Sequence, residues 1–99
     1  MKTYAIRRRS AWKNAQELEV AAGVSMRVGN EDMSNQVRWI RSYVVQEADG
    51  RLGTLCIYQC IDEQAIREHA RRAGLQADEV TEVVNTGVVR DDPAVAAAS

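Results

Sequence analysis

The chain has a single histidine, His69, in the run Ala65-Ile66-Arg67-Glu68-His69-Ala70-Arg71-Arg72-Ala73, and imidazole is the side chain whose ordinary pKa lies closest to neutrality. At about 100° per residue a helix would place His69 inside the apolar arc of Ala65, Ile66, Ala70 and Ala73, leaving Arg67, Glu68, Arg71 and Arg72 on the solvated arc. An inward imidazole among alanines sits beside space that packing or a ligand must fill. Three roles fit such a ring. It is a buried histidine tied to a backbone carbonyl, a general acid/base or orienting donor on a small organic molecule, or a metal ligand.

The metal role needs three or four donors. With one histidine in the chain, a site would have to recruit cysteine, carboxylate or a second subunit, with Cys56 the candidate thiol. Cys56 and Cys60 stand at i and i+4 of one strand. At ~3.3 Å per residue their Cα atoms are about 13 Å apart, too far to chelate one ion together or to form a disulfide, so both read as reduced core residues. Trp39, Arg41 and Tyr43 recur at period two, and Tyr58 joins them if the neighbouring strand is in register. Such a stripe is sheet core or dimer interface, or else the lining of a pocket in which the tyrosine hydroxyls and Arg41 orient a polar group on an apolar ligand. Neither a Ser/His/carboxylate triad nor a Gly-rich phosphate loop is recognisable, since Gly50, Gly53 and Gly87 are isolated.

The elements that must position these residues follow from periodicity and turn chemistry. Lys2 to Arg9 alternate as a first strand. Asn14-Ala15-Gln16-Glu17 has the form of a capping box, and Leu18, Ala21, Ala22, Ser25 and Val28 then share one side of a helix that Gly29-Asn30 would end in a left-handed turn. Gln36 to Gln46 alternate again, Ala48-Asp49-Gly50-Arg51 is a turn signal, and Leu52 to Cys60 completes a hairpin. Asp62 offers an N-cap to a helix over Gln64 to Ala73, Gly74 sits where a C-terminal glycine belongs, and Val80 to Val89 alternate as the last strand.

The resulting order β-α-β-β-α-β is the ferredoxin-like α+β arrangement, a four-stranded antiparallel sheet with two helices on one face. Trp39, Tyr43, Cys56, Tyr58 and Val84 cannot all turn inward beneath two helices, so apolar groups should remain on the open face. Exposed apolar area of that kind marks an interface, which predicts a homodimer closed as an α+β barrel.

With 99 residues the chain makes one domain, expected over residues 1–93, with a mobile tail from Ala94 to Ser99. Thirteen basic against 14 acidic side chains give no basic excess to drive binding to nucleic acid or an anionic membrane. Arg7-Arg8-Arg9 therefore reads as an edge-strand or salt-bridged surface, and the strand from Gly53 to Cys60 lacks the basic and aromatic pattern of RNA-binding sheets. The longest apolar run in the body, Val20 to Val24, is far below the ~18 residues of a spanning helix. No apolar stretch follows the charged start as in a signal peptide, so the expected location is cytoplasmic.

Trp39-Ile40-Arg41-Ser42-Tyr43-Val44, then Cys56-Ile57-Tyr58, then Ile61 through Leu75 with its Ala65-Ile66-Arg67-Glu68-His69-Ala70 helix, resemble a family of small bacterial ferredoxin-like proteins of unknown function. Some members of that family are described as nickel-binding. The resemblance implies the ferredoxin-like dimer and a transition-metal role. Two functions follow as expectations. The first is a cofactor-free enzyme acting through His69 on a small biosynthetic molecule held by Trp39, Arg41, Tyr43 and Tyr58, with cyclase, isomerase or monooxygenase-like chemistry by fold-level analogy. The alternative is a nickel or other transition-metal-binding protein using His69 and Cys56.

Overall fold

The computed structural model describes residues 1–93; the tail expectation falls outside them. Strand β1 (Lys2–Trp12) is followed by helix α1 (Ala15–Arg27), a π-helical turn (Val28–Asp32), strands β2 (Val37–Gln46) and β3 (Leu52–Cys60), helix α2 (Glu63–Ala73) and strand β4 (Glu79–Val83). The four strands form one antiparallel sheet in the order β2-β3-β1-β4. Ser25 of α1 and His69 of α2 both meet Tyr58 of β3, so the two helices cover the same face, as the element order predicts.

Local chemistry accounts for most boundaries. Asn14 Oδ1 accepts from the amide of Glu17 at 2.9 Å, while Glu17 Oε1 accepts from the amide of Lys13 at 2.8 Å, one residue before the capping-box partner. Asp62 Oδ1 accepts from the amide of Ala65 at 2.8 Å, and Gly74 ends α2 at φ 69°, where a side chain would be strained. Helix α1 departs from the reading: Gly29 and Asn30 do not adopt positive φ, and the winding continues as the π turn. Gly29 lies beside the His69 ring, where a Cβ would make an ordinary contact 3.6 Å from Nε2.

Two strand irregularities reset which side chains share a face. Strand β1 advances from Arg8 to Trp12 while β3 advances only from Thr54 to Leu52, carrying β1 past its predicted end at Arg9. Ser10 stands at φ 49° within this bulge. Glu47 holds it, accepting from the Ser10 amide at 2.9 Å and from Arg7 Nη2 at 2.8 Å, and Arg51 Nε donates to the Ser10 carbonyl at 2.8 Å. The Arg7 contact and then the Ser10 amide keep the Glu47 carboxyl below its ordinary pKa.

The second irregularity lies in β2, where Trp39 faces Tyr58 and Arg41 faces Ile57, leaving Ile40 as the additional residue. Residues directly opposite in an antiparallel pair share a face. Past Ile40 the alternation is therefore inverted: Ser42 pairs with Cys56 and Val44 with Thr54, on the helix side, while Arg41 and Tyr43 turn to the other side. The expected Trp39-Arg41-Tyr43 stripe is thereby corrected; one inserted residue divides it between two faces.

Strand β4 stops at Val83 rather than Val89 because its partner runs out: Val83 pairs with Thr3, and β1 begins at Lys2. The chain then returns over the helix-free face to the opposite edge, where Asp92 accepts from Arg41 Nη1 and Tyr43 Oη. Ile6, Met33, Tyr58, Cys60 and Ile66 are buried at the centre of the core.

Candidate functional site

Between α1 and the sheet lies a cavity of about 470 Å³, within the range of roughly 300–1,000 Å³ typical of small-molecule sites. Its helical wall is made by Ala15, Leu18, Glu19, Ala21, Ala22 and Ser25 of α1, of which Leu18, Ala21, Ala22 and Ser25 lie on the side that the sequence periodicity identified. Alanine side chains stop short of the sheet, so a hollow remains where larger residues would have filled the gap. The sheet supplies Arg8, Trp12, Trp39, Ser42, Val44, Thr54, Cys56 and Tyr58. Both tryptophans of the chain are therefore in the wall.

Most polar groups of the wall are engaged with one another. Trp39 Nε1 donates to Ser42 Oγ at 2.7 Å, Ser42 Oγ donates to Cys56 Sγ at 3.0 Å, and Cys56 Sγ donates to Thr54 Oγ1 at 3.3 Å. Ser25 Oγ and Tyr58 Oη lie 3.1 Å apart. Burial raises the Tyr58 pKa, with nearby Arg8 pulling the other way, so this phenol remains neutral at physiological pH.

Arg8 is the exception. It is 1% exposed, yet Nε, Nη1 and Nη2 have no hydrogen-bond partner among the described residues. Its guanidinium carbon lies 5.8 Å from the Tyr58 ring centroid, close enough for a cation–π contact. The neighbours behave differently: Arg7 pairs with Glu47 and Arg9 with Glu79. The surface reading of Arg7-Arg8-Arg9 is thus corrected at Arg8, which points to the helix-covered face together with Tyr4 and Ile6, all three buried at period two. That alternation is the sequence signal that could have found it.

His69 is also 1% exposed, and its Nε2 lies 3.0 Å from the Ser25 carbonyl oxygen. A carbonyl only accepts, so Nε2 carries the proton and Nδ1 is the bare nitrogen. Nδ1 is buried without a partner among the described residues. Burial lowers the His69 pKa, against the opposing effect of the Ser25 carbonyl, so the ring is neutral at pH 7. It packs 5.3 Å from the Tyr58 ring and does not line the cavity. Of the three roles open to this ring, the geometry is that of a histidine tied to a backbone carbonyl.

The other predicted residues separate. Trp39 and Tyr58, stacked at 6.0 Å, line the cavity, and so does Cys56. Arg41 and Tyr43 lie on the opposite face, bound to Asp92, and border a different, more polar depression with Gly87 and Val88. Cys56 and Cys60 are buried free thiols, as the strand spacing requires, and burial pushes the Cys60 thiol up to about 11. Among the described residues, no three of His, Cys, Asp and Glu converge to hold a metal ion. Among the described residues the lone pair on His69 Nδ1 has no converging set of donors around it, and they do not by themselves fit a nickel centre.

Among the described residues no helix is long and apolar enough to cross a membrane. The crystal structure of SCO4226 from Streptomyces coelicolor A3(2) superposes with a TM-score of 0.70 over 86% of this chain and 99% of that one. At 20% identity, the likeness is one of fold. No curated protein matches the sequence. The model of a family described as nickel responsive protein SCO4226-like matches residues 4–83, a span that runs from within β1 to the end of β4 and contains every residue lining the α1 cavity. The chain therefore belongs to the SCO4226-like family of nickel responsive proteins.

Proposed function

We propose that the protein binds a small organic molecule in the cavity between α1 and the sheet. The observation that carries this reading is a hollow of about 470 Å³ beside α1, walled by alanines and aromatic rings. Protein interiors normally close-pack. Binding is favoured over turnover because His69, the general acid/base of the sequence reading, is held by the Ser25 carbonyl away from the cavity wall. Cofactor-free cyclase, isomerase or oxygenase chemistry through His69 would require that ring to leave its hydrogen bond and enter the hollow.

The family description supports a second reading, in which the protein takes part in a nickel response. A nickel site would need donors from a second copy, since the described residues of one chain bring no three of His, Cys, Asp and Glu together. The homodimer belongs to the same proposal: Ile40 and Tyr43, 45% and 40% exposed on the helix-free side, offer the surface on which two sheets would close the expected barrel. Sedimentation velocity with and without nickel tests this reading. A dimer that gains stoichiometric metal supports it, and a monomer indifferent to nickel removes it.

Trp12 and Trp39 provide an internal reporter for the cavity. Titration with the neutral apolar dye N-phenyl-1-naphthylamine should give saturable energy transfer from tryptophan at one dye per chain. Ala22→Leu, which extends a side chain into the hollow, should abolish it. Dye fluorescence that rises without saturation, or that Ala22→Leu leaves unchanged, contradicts the binding reading.

A further inference from the structure

The identity of the ligand can be narrowed from the one buried wall residue whose charge has no partner among the described residues. Resting on the binding reading above, we propose that Arg8 makes the cavity selective for a molecule with a single carboxylate on a flat, apolar body. Arg8 is 1% exposed as a residue, and its guanidinium nitrogens are buried with no hydrogen-bond partner among the described residues. Leaving a buried polar group unsatisfied is costly, and more so for a charged one. The chain does not lack carboxylates: Arg7 and Arg9, on either side, each have one. Glu19, the carboxylate at the cavity wall, is exposed on α1 and makes no ion pair with Arg8.

The number of charges follows from the wall. Arg8 is its one cationic side chain, which matches a monoanion better than a phosphate dianion. A planar guanidinium fork fits the two oxygens of a carboxylate in parallel hydrogen bonds. The body of the ligand follows from the same inventory. Ser25 with Tyr58, and Trp39 with Ser42, Cys56 and Thr54, already satisfy one another, so the remaining surface asks for no further polar groups. Trp12, Trp39 and Tyr58 offer ring faces instead, which favours a flat hydrocarbon or aromatic portion.

The experiment compares three probes of nearly equal shape by isothermal titration calorimetry: 4-phenylbutyrate, 4-phenylbutanamide and 4-phenylbutan-1-ol. The wild-type chain should bind the acid at least about tenfold more tightly than either neutral probe, a difference worth about 1.4 kcal/mol. Arg8→Met should bring all three within about threefold of one another while retaining the neutral dye, and Arg8→Lys should restore part of the preference. Retained dye binding verifies that Arg8→Met is folded with its cavity intact. If Arg8→Met does not fold, the comparison is made with Arg8→Gln. Equal affinity for acid and amide in the wild type, or a preference for the acid that survives loss of Arg8, overturns the proposal while leaving the cavity as a neutral binding site. Failure of dye and acid alike overturns the binding reading and this one together.

Discussion

Beneath α2 the sheet is filled. Ile66 and His69 are each 1% exposed and Cys60 0%, and the one polar side chain that α2 sends inward meets the Ser25 carbonyl. Beneath α1 the same sheet face borders a hollow, the helix burying only Ser25 completely, and the sheet sends inward a guanidinium that nothing among the described residues receives. Tyr58 belongs to both halves, stacking on Trp39 at the cavity and packing against His69 at the filled end. The contrast separates stability from function. The α2 half follows the packing rule of an interior, and its inward imidazole spends Nε2 on the Ser25 carbonyl, leaving Nδ1 alone without a partner among the described residues. The α1 half leaves both space and a buried charge open in one place, as a binding site held ready for a ligand does.

If that division is right, substitutions in the two halves should differ in sign. The largest effect is expected at the filled end: Ile66→Ala should lower unfolding free energy by about 2–5 kcal/mol, measured by urea denaturation, with dye binding retained at temperatures where the variant is folded. Arg8→Met should act oppositely. Removing an unpaired buried charge in favour of an apolar side chain should raise stability in the ligand-free protein by about 1–3 kcal/mol in the same assay, and a loss of stability would place Arg8 among the structural residues.

The pH dependence belongs to the α2 half. Burial holds the His69 pKa below its ordinary 6.5, so on acidification the unfolded chain takes up this proton first. The contribution is fully present above 6.5 and is lost as pH falls below that value towards the folded pKa. Denaturation between pH 7.5 and 5.5, above the ordinary carboxylate range, should show stability declining, and His69→Gln should flatten that slope. The smallest change in stability should come from Ala22→Leu, within about 1 kcal/mol of wild type although it removes dye binding. A loss above about 3 kcal/mol would mean that the space by Ala22 is already occupied by packed side chains.

The α2 half was also the legible half. Asp62, the inward Ala65-Ile66-His69-Ala70 arc and Gly74 lie close together in sequence, so cap, face and terminus could be read directly. The α1 half depends on events that local patterns do not encode. The β1 bulge at Ser10 is held by Glu47 and Arg51 from the far hairpin, and the inserted Ile40 inverts the alternation of β2 without any glycine or proline to announce it. Period-two reading therefore joined Arg41 and Tyr43 to Trp39, whereas the fold sends them to the other face. Arg8 was concealed by its setting. A run of three arginines looks like surface, though Tyr4, Ile6 and Arg8 keep strict alternation and all three are buried. The hollow itself is a matter of helix-to-sheet distance, set by the whole core rather than by the alanines alone.

The most direct measurement is a heteronuclear correlation titration of the 15N-labelled chain with 4-phenylbutyrate, following backbone amides and the Arg8 Nε–H together. The account predicts saturable shifts at Arg8, Ala22, Ser25, Thr54 and Cys56, with Ile66 on α2 and Arg41 and Tyr43 on the far face of the sheet left in place. Shifts centred on Arg41, Tyr43 and Asp92, or an Arg8 Nε–H that does not move while the acid binds, would contradict it.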